Sequence, residues 1–344
     1  MNIFLLTYDF IVGLLIIAII FILFFQLHYL AIILSFILLF ISFFSREIRE
    51  KVHFKCNKIG KKQESLNYII EIPAVEKNSE HNRNIIIFAH YDSIGRRLNP
   101  IFSGVIFFIS LIGGTFFSIH VLVSILLYLL NFIPLVDIIW FFYGFCLAGF
   151  YSIQLLNKRN NKSYGTADNA TGVANAFYLT DFFNKNPLQY INLIIVLTGA
   201  EEMGDQGAYD YIKRNSDNLN KDKSYFLIVD SVGANKDENL YFYAQGFPKK
   251  RFSPIIERNI KHLLSSKKEE DYKINPMYIP PLIHFSTDHA PLKPYGYEFM
   301  IFGSNGSIHS ENDNINNYYP EMVEKFNQFS RDLIIQMDKK IKIK

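Results

Sequence analysis

The distribution of hydrophobic residues divides the chain into two kinds of segment. Two long blocks, residues 10–44 and 101–156, are almost wholly apolar, whereas the rest of the chain alternates short apolar runs with polar stretches. A helix needs about 20 apolar residues to cross the hydrocarbon core of a bilayer. Each block is long enough for two such helices, since polar residues at 26–29 interrupt the first and Asn131 and Pro134 interrupt the second. The pattern therefore predicts about four transmembrane helices in two hairpins.

Two alternatives to membrane spans are disfavoured by the same sequence. A cleaved signal peptide has a basic segment before its apolar run and small residues at a cleavage site, and the first block shows neither. A hairpin buried inside a soluble protein would still present a polar face to water, which residues 101–156 lack. We therefore expect an integral membrane protein that contacts lipid.

Basic residues lie next to the ends of the apolar blocks but not in the interruptions inside them. Seven Lys or Arg residues lie between Arg46 and Lys62, and others stand next to both ends of the second block, whereas the interruptions at 26–29 and 131–137 carry none. Loops rich in Lys and Arg remain on the cytoplasmic side of a membrane. We therefore expect a multi-pass protein whose polar remainder faces the cytoplasm.

Four short apolar runs in the polar remainder resemble buried strands, and each leads to side chains that can bind a metal. These are 84–89 before His90 and Asp92, 191–200 before Glu201 and Glu202, 225–229 before Asp230, and 297–302 before His309. Helix-like segments at 172–184 and 205–215 lie between the runs. Buried strands that alternate with helices predict an α/β sheet with helices on both faces. Because ligands gather at the carboxyl ends of such strands, these side chains should share one edge of the sheet.

The residue types at these strand ends suit a divalent metal. Imidazole and carboxylate groups without thiolate are ligands of Zn²⁺ and similar ions. Asp168, at the start of a helix-like segment, could belong to the set, although an Asp there can instead be a helix N-cap. A single residue such as His90 or Asp230 could likewise be structural. The combination of His90, Asp168, a glutamate at position 201 or 202, Asp230 and His309 is what indicates a metal site.

Charge and cysteine content exclude other classes of protein. The formal net charge is only +3, with Lys and Arg scattered among nearly equal numbers of acids, which does not favour nucleic acid as a partner. Cys56 and Cys146 are far apart in the chain. A disulfide framework and a thiolate metal site are therefore not expected.

Six stretches of the sequence resemble, in order, the motifs of the M28 group of zinc-dependent exopeptidases, which are aminopeptidases and their relatives. The stretches are AHYDS, GTADNATGVA, TGAEEMGDQGA, LIVDSVG, STDHAPL and GSIHSENDNI. The resemblance covers about residues 64–344 and implies a mixed β-sheet flanked by helices. It predicts a peptidase domain made of residues 46–100 and 157–344. Residues 1–45 would be an N-terminal transmembrane hairpin and residues 101–156 a transmembrane hairpin inserted into the domain.

Carried over to this sequence, the resemblance implies two divalent metal ions, expected to be Zn²⁺. His90 and Asp230 would bind one ion, and Glu202 and His309 would bind the other. Asp168 would bridge the two ions.

The resemblance also implies roles for residues that are not metal ligands. Asp92 would hydrogen-bond the His90 ring and fix its tautomer. Glu201 would be the general base that takes a proton from the attacking water. Asp288 and His289 match a family segment near the site, and their role, structural or in substrate contact, is left open.

These features predict a membrane-anchored aminopeptidase that removes N-terminal residues from peptides at the cytoplasmic face. Glutaminyl cyclases are similar to this family, but they bind one zinc and carry tryptophans around the pocket. The single tryptophan of this chain, Trp140, lies in an apolar block. A non-catalytic membrane scaffold with a peptidase-like domain would usually have lost metal ligands, whereas all five and Glu201 are present here.

Overall fold

The computed structural model describes residues 3–25, 27–43, 64–77, 80–98, 100–130, 137–155, 157, 159–234, 239–245, 253–266, 272–279, 286–304, 306 and 308–341. The basic segment at 46–62 and the interruptions at Gln26 and 131–136 lie outside these residues. The chain divides into two compact units. One comprises Met1–Lys62 and Arg96–Arg159, and the other comprises Gln63–Gly95 and Asn160–Lys344.

The first unit contains the apolar helices. They are α1 (Ile3–Phe24), α2 (His28–Phe43), α3 (Pro100–Leu129) and α4 (Asp137–Leu155). α1 packs against α2 and α4, and α3 packs against the same two helices. Among the described residues, Phe102–Leu129 is the one helical stretch long and apolar enough to cross a membrane, and the other three helices contain shorter apolar stretches. Four transmembrane spans therefore stay a prediction.

Small residues and interhelical hydrogen bonds hold α3 and α4 together. A Cβ atom on Gly113 would overlap the side chain of Leu147, so only glycine lets the two helices approach this closely. The hydroxyl group of Tyr143 donates to the carbonyl oxygen of Gly113 at 3.0 Å, and that of Tyr151 donates to the carbonyl oxygen of Ser110 at 3.0 Å. Both kinds of contact are common between helices in lipid, where burial of apolar surface does not drive association.

The second unit is built on a seven-stranded mixed sheet. Its strands are β1 (Tyr68–Ile72), β2 (Arg83–His90), β5 (Ile191–Thr198), β6 (Ser224–Val229), β7 (Leu240–Gln245), β8 (Ile274–Ile279) and β9 (Glu298–Gly303), and the two-residue strands β3 (Gly95–Arg96) and β4 (Arg159–Asn160) pair separately. The order is β1-β5-β2-β6-β9-β7-β8. The four neighbouring strands β5, β2, β6 and β9 are parallel to one another. β1 pairs antiparallel with β5, β7 pairs antiparallel with β9, and β8 is parallel to β7. The predicted α/β fold with a mixed sheet is confirmed.

The central strands coincide with the apolar runs of the sequence because both of their faces are buried. Helices α5 (Thr171–Lys185), α6 (Gln206–Asn215), α7 (Pro254–Ser266), α8 (Leu292–Tyr295) and α9 (Pro320–Ile341) follow or separate them. Ile85 and Ile87 of β2 pack on the side of α5, α7 and α9, whereas Ile86 and Phe88 pack on the side of α6 and α8. The sequence pattern missed the outer strands β1, β7 and β8. β1, for example, is largely exposed and lacks a continuous buried run.

Candidate active site

The potential ligands lie where the central parallel strands end. His90 is the last residue of β2, Asp230 follows β6 directly, and Glu201 and Glu202 lie just beyond β5. His309 lies in the loop between β9 and α9. Parallel strands place their carboxyl ends at one edge of the sheet, and this edge is where the side chains meet.

The side chains form two adjoining groups, each of which could hold a metal ion. In each group, one ligand atom per residue lies within 4.8 Å of the others; the groups are His90, Glu201 and Asp230, and Asp168, Glu202 and His309. Asp168, in the turn before α5, connects them. Its Oδ1 atom lies 3.1 Å from Nε2 of His90, and its Oδ2 atom lies 2.9 Å from Nε2 of His309. One carboxylate thus faces both histidines, as a bridging ligand must.

Adjacent Glu201 and Glu202 belong to different groups because of the turn between β5 and α6. Ala200 and Asp205 have left-handed backbones with φ of 57° and 55°, and Gly204 has φ of 104°. The carbonyl oxygen of Glu201 accepts hydrogen bonds from the N–H groups of Gly204 at 2.6 Å and Asp205 at 2.8 Å. This tight geometry lets the two neighbouring carboxyl groups diverge.

Asp92 contacts His90 in a different way from the one predicted. Nδ1 of His90 lies 2.9 Å from the main-chain oxygen of Asp92 but 3.8 Å from its carboxylate, so the ring donates to the carbonyl group. The carboxylate instead accepts from the N–H groups of Glu201 at 3.0 Å and Glu202 at 3.1 Å. The reason is that the turn after β5 presents two successive N–H groups, which one carboxylate can satisfy together. Asp92 therefore orients the ring and both glutamates.

The charges of the cluster favour positive charge at its centre. Burial opposes protonation of His309, but Asp168 and Glu202 outweigh it and raise the pKa of His309 to about 9. For His90, Glu201 and other carboxylates likewise outweigh burial and raise its pKa well above the ordinary value. The same histidines hold the pKa of Asp168 below its usual value despite burial. Divalent cations bound among these carboxylates would neutralise their negative charge.

One buried oxygen atom provides a test of whether a metal fits. Oε1 of Glu202 is buried, and Nε2 of His309 lies 2.9 Å away. When Nε2 carries no proton, the two atoms present lone pairs to each other, which is unfavourable in a buried site without a cation between them. Two ligands of one Zn²⁺ ion, each bound at about 2 Å, approach each other to about this distance. The donor set therefore fits a divalent cation.

Sequence reasoning did not single out two residues that hold the main chain at Asp168 and around Asp230. Asp313 accepts hydrogen bonds from the N–H groups of Ala167 at 2.6 Å and Asp168 at 3.3 Å. Asn169 donates to the carbonyl oxygen before Asp230 at 2.7 Å and accepts from the N–H group after it at 3.2 Å. Both residues lie within the six motif stretches of the sequence. A polar side chain inside a motif was therefore the sequence feature that could have identified them.

Asp288 and His289 lie beneath the surface. Their exposed fractions are 1% and 0%. Oδ2 of Asp288 lies 2.5 Å from the hydroxyl oxygen of Thr198, and the ring of His289 packs 5.2 Å from that of Phe299. Burial raises the pKa of Asp288 to about 7. Among the described residues, neither belongs to a metal-ligand group, and their burial favours a structural role.

Several solved structures are similar to this chain at low sequence identity. A zinc aminopeptidase from Bacillus subtilis is 15% identical, with 79% of this chain and 49% of that chain covered and a TM-score of 0.47. An aminopeptidase from Aneurinibacillus sp. strain AM-1 is 17% identical, with coverages of 78% and 47% and a TM-score of 0.48. A glutaminyl cyclase from Macrostomum lignano is 12% identical, with coverages of 79% and 71% and a TM-score of 0.49. The chain spans about half the length of the two aminopeptidases.

The family comparison covers the part of the chain that carries most of the site. No curated protein matches the sequence. The model of peptidase family M28 matches residues 151–334, more than half of the 344 residues. Five of the six residues in the two groups lie within this range, and His90 precedes it. The chain therefore belongs to peptidase family M28.

Proposed function

We propose that this protein is a membrane-anchored aminopeptidase that hydrolyses N-terminal residues from peptides with two divalent metal ions, expected to be Zn²⁺. The observation that carries the proposal is the pair of ligand groups joined by Asp168, whose two oxygens face His90 and His309 at 3.1 and 2.9 Å. Family membership supports a hydrolase that acts on peptide bonds.

In this proposal each of the five ligands has a defined place. His90 and Asp230 would hold one ion, Glu202 and His309 would hold the other, and Asp168 would contribute to both. The hydrogen bond from Nδ1 of His90 to the main chain of Asp92 leaves Nε2 as the ligand atom. When bound, the two ions make a water molecule acidic and polarise the peptide carbonyl group.

Glu201 is the proposed general base. Its carboxyl group lies beside His90 and Asp230, facing the site, and its side-chain oxygen takes a proton from the attacking water and returns it to the leaving amine. Asp92 supports this step because its carboxylate fixes the main chain of Glu201 and Glu202 at 3.0 and 3.1 Å. In this proposal Glu201 transfers the proton and Glu202 binds metal.

The proposed anchor consists of two transmembrane hairpins, residues 1–45 and 101–156, with the peptidase domain formed by residues 46–100 and 157–344 on the cytoplasmic side. The four apolar helices, their small-residue contacts and the division of the chain into two units support this arrangement. Lipid would be the second partner beside the peptide.

A hydrolysis assay tests the chemistry. Detergent-solubilised protein should cleave aminoacyl amides, and a chelator should abolish the activity until metal is restored. Glu201→Gln should keep its metal and lose about 10²- to 10⁴-fold in rate, whereas Glu202→Gln should lose metal. Equal metal loss in both variants, or activity that resists chelation, would contradict the assignment.

A labelling experiment tests the topology. Cysteines introduced near residues 60, 160 and 340 should all be protected from a membrane-impermeant thiol reagent in intact cells, because all three regions would be cytoplasmic. Labelling at one position alone would mean that the number of spans is wrong. Labelling at all three would reverse the orientation.

A further inference from the structure

The segment from Gly199 to Gly207 carries both glutamates of the site, and the side chain of Asn67 joins its two ends. Oδ1 of Asn67 accepts a hydrogen bond from the main-chain N–H group of Gly199 at 3.1 Å. Nδ2 of Asn67 donates to the carbonyl oxygen of Gly207 at 2.9 Å. This segment, which we call the glutamate turn, therefore has both of its ends fixed to one side chain.

The position of Asn67 follows from the pairing of β1 with β5. Asn67 directly precedes Tyr68, the first residue of β1, which pairs with Leu197 of β5. The ladder between the two strands ends there, whereas the chain that leaves β5 continues to Gly199. A main-chain N–H group beyond the end of a ladder needs another acceptor. A side-chain amide offers an acceptor and a donor, so Asn67 can satisfy Gly199 and Gly207 together.

The two ends of the glutamate turn lie in direct contact. A Cβ atom on Gly207 would lie 2.5 Å from Oδ1 of Asn67 and 2.5 Å from the carbonyl oxygen of Gly199, closer than nonbonded atoms approach in proteins. Gly207 is the second residue of α6, where the backbone itself would accept any side chain. The close approach of Asn67 and Gly199 is therefore what requires glycine at this position.

Asn67 is itself fixed to the end of β2, which carries His90. The hydroxyl group of Tyr91, the residue after His90, donates to the carbonyl oxygen of Leu66 at 2.8 Å. The ring of Tyr91 also packs against that of Tyr68, with the ring centroids 5.7 Å apart. The residues on both sides of Asn67 are thus held by the neighbour of a proposed metal ligand. Asn67 therefore links the position of the glutamate turn to that of His90.

Asn67 and Asp92 hold different parts of the glutamate turn. The carboxylate of Asp92 accepts from the N–H groups of Glu201 and Glu202 and so holds the middle of the segment. Contacts at the middle alone leave a segment able to rotate about them, whereas contacts at both ends remove that freedom. The two side chains together fix the segment along its whole length.

We propose that Asn67 is a positioning residue that holds the glutamate turn so that Glu201 and Glu202 stay in their separate ligand groups. The proposal rests on the proposed function, in which Glu201 is the base and Glu202 binds metal. A reactive group displaced by about 1 Å can lose about 100-fold in rate. Groups that orient metal ligands typically contribute about 10- to 100-fold in affinity. Loss of Asn67 should therefore lower kcat and metal affinity together.

Asn67→Ala tests this role, and Asn192→Ala is its matched control. Asn192 is half-buried like Asn67 and makes two hydrogen bonds near the other end of the β1–β5 pair, from the N–H group of Ala74 at 3.0 Å and to Oδ1 of Asn84 at 3.1 Å. With Zn²⁺ at saturating concentration, Asn67→Ala should lower kcat about 10- to 100-fold and leave KM within about threefold of wild type. Calorimetric titration of the metal-free variant should show a loss of about 10- to 100-fold in affinity for Zn²⁺. Asn192→Ala should keep kcat, KM and the affinity for Zn²⁺ within about threefold of wild type, since its contacts lie away from the glutamates.

Gly207→Ala provides an independent variant in which Asn67 is retained. Alanine favours a helix more than glycine does, yet its methyl group has to displace Asn67 or Gly199. We therefore expect kcat and the affinity for Zn²⁺ to fall in the folded variant, as they do in Asn67→Ala. A wild-type kcat in either variant, or equal losses in Asn67→Ala and Asn192→Ala, would refute the positioning role.

Hydrogen exchange keeps this inference separate from the proposed function. Wild-type protein that hydrolyses no aminoacyl amide with metal supplied would refute the proposed function. Exchange of the main-chain N–H groups of residues 200–206, measured by mass spectrometry on the metal-free proteins in detergent, would still test Asn67. We expect this exchange to be about tenfold faster in Asn67→Ala than in wild type and unchanged in Asn192→Ala. Wild-type exchange in Asn67→Ala would show that other contacts hold the glutamate turn and would overturn the inference.

Discussion

The two ends of strand β5 are held by the same kind of contact. At the amino end, Asp338 of α9 accepts hydrogen bonds from the main-chain N–H groups of Gln189 at 2.9 Å and Tyr190 at 2.7 Å. At the carboxyl end, Asp92 accepts from the N–H groups of the two residues 201 and 202 at 3.0 and 3.1 Å. In both cases one carboxylate satisfies two successive donors that the sheet leaves unpaired.

The ends differ in what the held residues do. Gln189 and Tyr190 carry no group that belongs to the metal-ligand groups of the described structure, so Asp338 acts on the stability of the fold. Glu201 and Glu202 carry the proposed base and a proposed ligand, so Asp92 acts on the geometry of the site. An identical contact can therefore serve stability at one end of a strand and chemistry at the other.

The largest difference between the ends should appear in the response to pH. Asp288 contacts Thr198 at the carboxyl end, and burial raises its pKa to about 7. Between its unfolded pKa near 4 and pH 7, the folded protein binds the extra proton, so stability falls as pH rises through this range. We therefore compare the free energy of unfolding of Asp288→Asn with that of wild type. The difference, variant minus wild type, should increase by at most about 4 kcal/mol between pH 4 and pH 7 and should be constant at higher pH.

Denaturant unfolding of the two proteins in detergent, at pH steps from 4 to 8, measures this effect. A difference that is constant across the range would show that Asp288 does not titrate as the burial of its carboxyl group implies.

The next largest effect should be on catalysis. Asp92→Asn places an amide N–H group against a main-chain N–H group and should shift Glu201 and Glu202, with a loss of about 100-fold in kcat/KM. Asp338→Asn makes the same chemical change at the other end of β5 and should leave kcat/KM within about threefold of wild type. Similar losses in both variants would mean that the two ends do not differ in function.

A third effect should be on metal affinity. Asp313 holds the N–H groups of Ala167 and Asp168, so Asp313→Asn should loosen the proposed bridging ligand. Groups that orient metal ligands typically contribute about 10- to 100-fold in affinity. Titration of the metal-free variant with Zn²⁺, followed by calorimetry, would measure this loss. Wild-type affinity in Asp313→Asn would show that the Asp168 carboxylate is held by other contacts.

The smallest effect should be on stability at the amino end. Asp338→Asn replaces one of the two acceptor oxygens with an NH2 group, so one of the two hydrogen bonds to partly exposed main chain is lost. Because water can partly replace that bond, the substitution should lower the free energy of unfolding by about 1–2 kcal/mol. Metal content and kcat serve as the control and should not change. A loss of metal in this variant would show that the amino end of β5 also shapes the site.

The central strands could be predicted from the sequence because burial on both faces produces continuous apolar runs such as 191–198. The potential ligands could be predicted because each follows such a run or starts a helix. The role of the Asp92 carboxylate could not, since it depends on contact with Glu201, 109 residues further along the chain. Asp313 likewise acts on Asp168 from 145 residues away. Such pairings come from the topology of the sheet and leave no local pattern.

The position of β9 and His309 late in the chain has a consequence for biosynthesis. Domains generally fold as units while the chain emerges from the ribosome, starting at the amino-terminal side. His309, one of the proposed ligands, and Asp313, which holds another, are translated after β2, β5 and β6 and after all four apolar helices. A nascent chain therefore lacks a complete site while those helices are being translated, which is when the proposed spans would enter the membrane. In the proposed enzyme, the ability to cleave peptides would arise only after that step.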